Sequence, residues 1–187
     1  MEMKLMNRRS RWIYGLIIAL LVVSIIWIIP AYKRNRAEKE GKKLFLTPVC
    51  QKIYGISINL SKALEKAEWI DAGMSCATVY LNELADVFCG GFSCGYPEYA
   101  DETNLEMSAA VAHVQEELMS VYSKQTDGIP LTDEDYYFLR ELEVAFNDLC
   151  NSLSNDDGSI NKKAFDDEYV AEVFRDFKDA VIILKAP

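Results

Sequence analysis

The chain has one histidine, His113, in 187 residues, and that scarcity restricts several chemistries at once. A Ser-His-Asp or Cys-His nucleophile would have to use His113, which no motif pairs with a nucleophile, and a zinc set built on imidazoles needs more than one. His113 shares a helix face with Glu116 and Glu117, yet the chain has no Glu-x-x-His pair of the kind that holds two iron ions in a helical bundle. Basic residues are equally uneven, with no Lys or Arg between Lys66 and Lys124. Thiols in that stretch have no neighbouring cation in sequence to lower their pKa, which counts against redox catalysis. Strand-like alternation is missing, and so is a glycine-rich phosphate loop. No residue is assigned as catalytic, cofactor-binding or metal-ligating, and the balance leans away from an enzyme.

Charge is also missing from the 21 residues Trp12 to Tyr32, WIYGLIIALLVVSIIWIIPAY. As a helix at about 1.5 Å per residue this run is about 31 Å long, the thickness of a hydrocarbon core. It predicts one transmembrane helix, with the lipid bilayer as the partner of residues 12–32. Trp12 and Tyr14 at one end, and Trp27 and Tyr32 at the other, are placed as membrane-interface anchors, because amphipathic rings favour the headgroup layer. Residues Ile28 to Lys33 offer no small-x-small cleavage site, and no cysteine follows to accept a lipid. The run is therefore read as a retained signal anchor rather than a cleaved leader.

Sidedness is less sharply encoded, because basic residues crowd both ends. Lys4, Arg8, Arg9 and Arg11 precede the run, while Lys33, Arg34, Arg36, Lys39, Lys42 and Lys43 follow it. A strict count of positive charge slightly favours a cytoplasmic C-terminal domain. A short basic tail before a single apolar helix is the layout of a signal anchor, and it favours an extracytoplasmic one. The second arrangement is the expectation adopted, in the cell membrane with a single pass.

Four segments follow: a basic tail 1–11, the transmembrane helix 12–32, a basic juxtamembrane stem 33–43 and a domain 44–187. Residues 1–43 hold 10 Lys or Arg against 3 Asp or Glu, which leaves 10 basic and 26 acidic residues in 44–187. Such a domain lacks the cations that neutralise phosphates, so no nucleic acid is expected as a partner. Solvated helix faces account for the acidity most simply, and a docking surface for a basic protein is the alternative.

Apolar spacing in 44–187 is helical almost throughout, so the fold class expected is all-α, with about four helices in an antiparallel bundle behind the transmembrane helix. Thr47 and Pro48 read as N-cap and first residue of a helix. Ile53, Ile56, Leu60, Leu64, Ala67 and Ile70 then continue in phase through Met74, Ala77, Leu81, Leu84 and Phe88. That predicts one long helix bent near Gly73, or two, stopped at Gly90 and Gly91. A helix from Thr103, capped with Glu106, carries Met107, Val111, Val114, Leu118 and Val121 and ends by Gly128. A third starts at Thr132 behind Leu131, with Asp133, Glu134 and Asp135 at the positive end of its dipole, and carries Phe138, Leu142, Ala145, Phe146, Leu149 and Leu153. After a loop at 155–159, a fourth runs to about Leu184 with Phe165, Tyr169, Val173, Phe177, Val181 and Leu184 on one face.

Among the five cysteines, Cys89 and Cys94 flank a glycine-rich loop with C-x4-C spacing, and in an oxidising compartment a disulfide between them is the leading expectation. Cys50, Cys76 and Cys150 fall on or beside apolar faces and read as buried thiols. Asn155-Asp-Asp-Gly-Ser-Ile-Asn161 resembles the middle of an EF-hand calcium loop, but Leu153 and Ala164 occupy the first and twelfth ligand positions, so a polar turn is expected. Asn59-Leu60-Ser61 has the form of a glycosylation sequon on a helix. Ile29-Pro-Ala-Tyr32 ahead of basic residues resembles the end of the conserved helix of type IV pilins, over four residues and without the family's glycine cleavage site. Ile129 to Leu142 is similar to a helix in membrane-anchored germination proteins of spore-forming bacteria, whose chains are much longer.

These readings lead to a membrane-anchored interaction or assembly module of an envelope complex, with an unidentified protein partner of basic surface, or a second copy of the chain as a homo-oligomer. An extracytoplasmic sensor or ligand-binding bundle is the alternative, and a membrane-associated enzyme or thiol-redox protein ranks behind both. No cofactor is assigned.

Overall fold

The computed structural model describes residues 8–90, 102–155 and 157–187. They form five α-helices: α1 Arg8–Glu65, α2 Ile70–Gly90, α3 Glu102–Thr126, α4 Asp133–Leu153 and α5 Asp167–Ile182, with short 3-10 turns at Ala67–Trp69 and Lys162–Phe165. Among the described residues the fold is all-helical, with one isolated antiparallel bridge between Ser154 and Ile160. The chain divides into two compact units, Met1–Glu40 and Gly41–Pro187.

The first unit contains the apolar part of α1. From Leu16 to Ile29 its large hydrophobic side chains are all exposed, Leu16 at 63 % and Ile28 at 62 %. Near the N-terminus the structure thus has a helix long and apolar enough to cross a membrane. Beyond the apolar run, Arg36 and Glu40 form an i,i+4 ion pair at 2.9 Å.

The second unit is built around one cluster of buried side chains drawn from all five helices. Met74, Ala77, Leu81, Leu84 and Phe88 of α2 are buried as their 3.6-residue spacing predicts, as are Met107, Val111, Val114, Leu118 and Val121 of α3. Phe138, Leu142, Phe146, Leu149 and Leu153 do the same for α4. Phe88 joins three helices, its ring meeting Phe45 of α1 at 6.2 Å and Phe174 of α5 at 5.5 Å, both edge-on. Phe146 and Phe177 make a similar contact at 5.0 Å.

Helix ends differ from the sequence reading in four places. Thr47 and Pro48 do not begin a helix, because α1 passes straight through them. Thr47 Oγ1 donates back to Lys43 O at 2.6 Å, and Phe45, Leu46, Val49 and Cys50 are buried on both sides of the proline, so packing overrides the local start signal. The long apolar series is two helices, one of the two arrangements expected, and it divides at Lys66 rather than near Gly73. There Trp69 N donates to Lys66 O at 2.9 Å and the Lys66 ammonium sits 4.7 Å from the Trp69 ring. Thr103 is not an N-cap, since α3 already includes Glu102, and Glu106 pairs with Lys178 of α5 at 2.9 Å instead of closing a capping box.

The last helix starts later than expected, at Asp167. The Asp166 side chain caps it by accepting from Glu168 N and Tyr169 N, so the face is reset to Val170, Phe174, Phe177 and Val181. Lys42, itself buried, ties this start to α1 by donating to Asp167 Oδ2 at 2.8 Å and Phe165 O at 3.3 Å.

The start of α4 follows its sequence. Thr132 is the N-cap, its hydroxyl accepting from Asp135 N at 3.2 Å while Asp135 Oδ2 accepts from Thr132 N at 2.8 Å. Leu131 and Tyr136, the positions of a hydrophobic staple, both pack on the core.

Candidate functional site

Three features of the second unit carry recognisable chemistry. The first is a groove of about 930 Å³, at the large end of the range for small-molecule sites. On α1 it is lined by Lys43, Thr47, Cys50, Gln51 and Tyr54, whose spacing of three and four places them on one side of the helix. Opposite stand Cys150, Asn151 and Ser154 at the end of α4, with Asn155, Asp157, Gly158, Ser159, Ile160 and Phe165 completing the lining.

The turn after α4 is held by its own polar side chains. Asn155 N donates to Ser159 O and Gly158 N to Asn155 O, each at 2.8 Å, and Gly158 takes a φ of +77° that a residue with a Cβ rarely adopts. Asp157 Oδ1 accepts from the Ser159 hydroxyl and from Ser159 N, and these bonds hold its carboxyl below the usual aspartate range. Leu153 and Ala164, at the first and twelfth positions of the calcium-loop pattern, are both fully buried apolar side chains. Asp157 is thus spent on the turn itself.

Within the groove Cys50 is buried and Cys150 half-buried. Burial pushes both thiols up, and the neighbouring Ser154 hydroxyl, which donates toward either thiolate, opposes the shift. Two thiols a hundred residues apart therefore line one groove beside the same hydroxyl. Nothing local in the sequence pairs them, and each read alone as an ordinary buried cysteine.

The second feature is the surface of α2 and α3. The 57 residues Ala67 to Ser123 contain no Lys or Arg and ten Asp or Glu. Cys76 and Val79 of α2 and Leu105, Ala109, Ala112 and Met119 of α3 are exposed among Asp71, Asp86 and Glu116. The two helices meet where Cys89 Sγ lies 3.0 Å from Ser108 Oγ. Among the described residues, cations reach this surface at its edges, Lys52 of α1 at Glu83 and Lys178 of α5 at Glu106.

The third is a strap. Leu184 to Pro187 lies along α3, with His113 Nε2–H donating to Leu184 O at 3.1 Å and Ala186 N donating to Glu117 Oε2 at 2.7 Å. Lys124 Nζ donates to Pro187 O at 2.6 Å and to the fully buried Asp135 at 2.8 Å. Burial alone would raise the Asp135 pKa, but the Lys124 and Thr132 hydrogen bonds and the Lys124 charge carry it below the usual aspartate range. The chain's one histidine is thus a structural donor, and Glu116 points away from it into solvent.

The remaining expected positions divide between described and undescribed residues. Trp27 and Tyr32 are exposed on α1, at 76 % and 68 %. The side chains of Trp12 and Tyr14 lie outside the described residues, as do Cys94 and the glycine-rich loop it closes. Cys76 is exposed rather than buried, because it falls on the outer side of α2. Asn59 of the sequon is half-buried within α1 and donates to Gly55 O at 2.7 Å. Compared with known protein families, curated proteins and solved structures, the chain has no match.

Proposed function

We propose that this chain is a single-pass membrane protein whose acidic helical domain docks a protein of basic surface, as an accessory or assembly factor of an envelope complex. The observation that carries the reading is the base-free α2–α3 surface, where exposed apolar side chains are interleaved with carboxylates and cations arrive at the edges. An apolar centre supplies burial on binding, and surrounding charge of one sign steers a complementary partner. The same charge is repelled by anionic headgroups, which keeps the surface free for protein.

The domain reads as an antiparallel bundle. Ser57 of α1 bonds Asn147 of α4, and seven residues back along α1 Cys50 lines the same groove as Ser154, which caps α4 seven residues forward of Asn147. Contacts stepping in opposite directions fit helices of opposite sense. A second reading, a ligand-binding bundle, draws on the groove between α1 and α4.

Crosslinking in intact cells, followed by identification of what copurifies, tests docking. The expected result is a basic-surfaced protein that is lost from the Asp86→Lys/Glu116→Lys double variant and retained by wild type. Recovery of only the chain itself would move the reading to homo-oligomerisation, and recovery that ignores charge reversal would remove the α2–α3 surface from it. Cys76, an exposed thiol, reports sidedness. Labelling of it in intact cells by a membrane-impermeant maleimide is expected for an extracytoplasmic domain, whereas labelling only after permeabilisation would place the domain inside.

A further inference from the structure

The groove between α1 and α4 contains the one pairing of thiols that the fold creates across distant sequence among the described residues. Cys50 lies on α1 and Cys150 on α4, and both line the same groove, with Ser154 beside them in its lining. The helix register agrees. Counting from the Ser57–Asn147 bond, seven residues back on α1 and seven forward from Asn147 bring Cys50 opposite Ser154, the residue that caps the end of α4, with Cys150 one helical turn before it. A side chain on one helix that sits between residues i and i+4 of its neighbour touches both. Cys50 is in that relation to Cys150 and Ser154.

We propose that Cys50 and Cys150 form a reversible disulfide that staples α1 to α4, and that the groove is the port through which a small disulfide oxidant reaches them. The two thiols differ in access, Cys150 being half-buried and Cys50 buried, which sets an order. The Cys150 thiolate attacks one sulfur of oxidised glutathione, releasing one glutathione and leaving a mixed disulfide. The Cys50 thiolate then attacks Cys150 Sγ and releases the second glutathione. Two protein thiols lose two electrons to the glutathione disulfide, and their two protons pass to the two glutathione thiolates. The groove's volume accommodates a molecule of that size before the second step expels it.

The closed ring spans about 100 residues, a length at which a crosslink strongly restricts the unfolded chain. The thermal midpoint of the oxidised full chain is therefore expected to rise by about 10 °C over the reduced form.

The test equilibrates the detergent-solubilised full chain with oxidised glutathione, quenches in acid, alkylates remaining thiols under denaturing conditions and maps peptides without reduction. The expected result is a linked peptide pair containing Cys50 and Cys150, converted by reductant into two alkylatable thiols. Cys150→Ser should abolish that pair and the rise in thermal midpoint, and it should leave Cys50 alkylatable. Complete alkylation of both cysteines after equilibration would overturn the proposal. So would linkage of either one to Cys76, Cys89 or Cys94 in preference to the other. Because the mapping is made on the wild-type chain, a folding defect in the variant does not alter what it decides.

Discussion

Gly73→Ala should destabilise the domain, although on an isolated helix it would do the opposite. Alanine is favoured over glycine in a helix interior by about 1 kcal/mol, and Gly73 lies in the first turn of α2. The neighbours reverse the sign. A Cβ at this position would stand 2.6 Å from Asn59 O, 2.7 Å from Ala63 Cβ and 3.1 Å from Ala63 Cα, all on the last turns of α1. None of these belongs to a side chain that can rotate aside. To restore ordinary contact near 3.5 Å, α2 must move off α1 by about 1 Å, loosening Leu60, Ile70 and Met74, which are packed with at most 3 % exposure. Overpacking of this kind costs about 1 to 3 kcal/mol beyond the propensity gain, a fall of about 3 to 10 °C in thermal midpoint for a domain of this size. Gly55→Ala is the informative partner, because the nearest atoms to its added Cβ are those of the Tyr80 ring at 2.9 to 3.0 Å, a side chain that can swing. Circular dichroism of the full chain in detergent, read through the melting transition, compares the two. A higher midpoint for Gly73→Ala, or a larger fall for Gly55→Ala, would refute so close an approach of α1 and α2.

Asp135→Asn should lower stability at neutral pH by about 1 to 2 kcal/mol, through the lost Lys124 ion pair and a weakened Thr132 cap. Because the folded-state pKa of Asp135 lies below its unfolded value, its contribution is present above about pH 4 and lost as pH falls through the folded value. Wild type should therefore lose more stability than the Asn variant in denaturant titrations as pH falls below about 4, and parallel curves would contradict the assignment. Pro48→Ala returns an N–H to α1 opposite the Leu44 carbonyl and should stabilise by about 1 to 3 kcal/mol, read as a higher midpoint. A fall would mean that the proline shapes the helix in a way the core requires. Phe88→Ala removes the ring that joins Phe45 and Phe174 and should cost about 3 to 5 kcal/mol, whereas a loss under about 1 kcal/mol would show that these edge contacts close over the gap.

The faces of α2, α3 and α4 were legible because a buried helix must repeat its apolar residues every three or four positions, and these do. Thr132 was legible because its cap is satisfied within four residues. Lys66 was not, for a definite reason. Leu64, Ala67, Ile70 and Met74 keep helical spacing across the turn, so the reversal leaves no phase break, and the signal lies in Gly73, which is small so that α2 can fold back against Asn59 and Ala63. Thr47 and Pro48 misled because a start signal is local, while the burial of Phe45 and Leu46 ahead of them is tertiary. Asp166 caps α5 only because the 3-10 turn before it directs the chain there. The absence of bases from 67 to 123 could be read directly, but that Cys76, Leu105 and Met119 are exposed among its carboxylates could not. Cys50 and Cys150 are joined by register alone, which exists only once α1 and α4 are paired.

The groove and the acidic surface share α1, and its two sides keep them apart. Cys50 and Ser57 point toward α4, whereas Lys52, Gly55, Asn59 and Ala63 meet Glu83, Tyr80 and Gly73 of α2. At about 100° per residue, Cys50 and Lys52 are about 200° apart around the helix, so one helix thickness separates the thiols from the docking surface. A crosslink between α1 and α4 fixes the first side without requiring the second to move. Charge reversal at Asp86 and Glu116 should then weaken partner capture by the same factor in oxidised and reduced chains, and the energies should add to within about 0.5 kcal/mol. A larger coupling would require α1 to rotate or shift between its two neighbours when the disulfide closes. In a close-packed core such a shift would also disturb Gly73 against Asn59, where Gly73→Ala reads it directly.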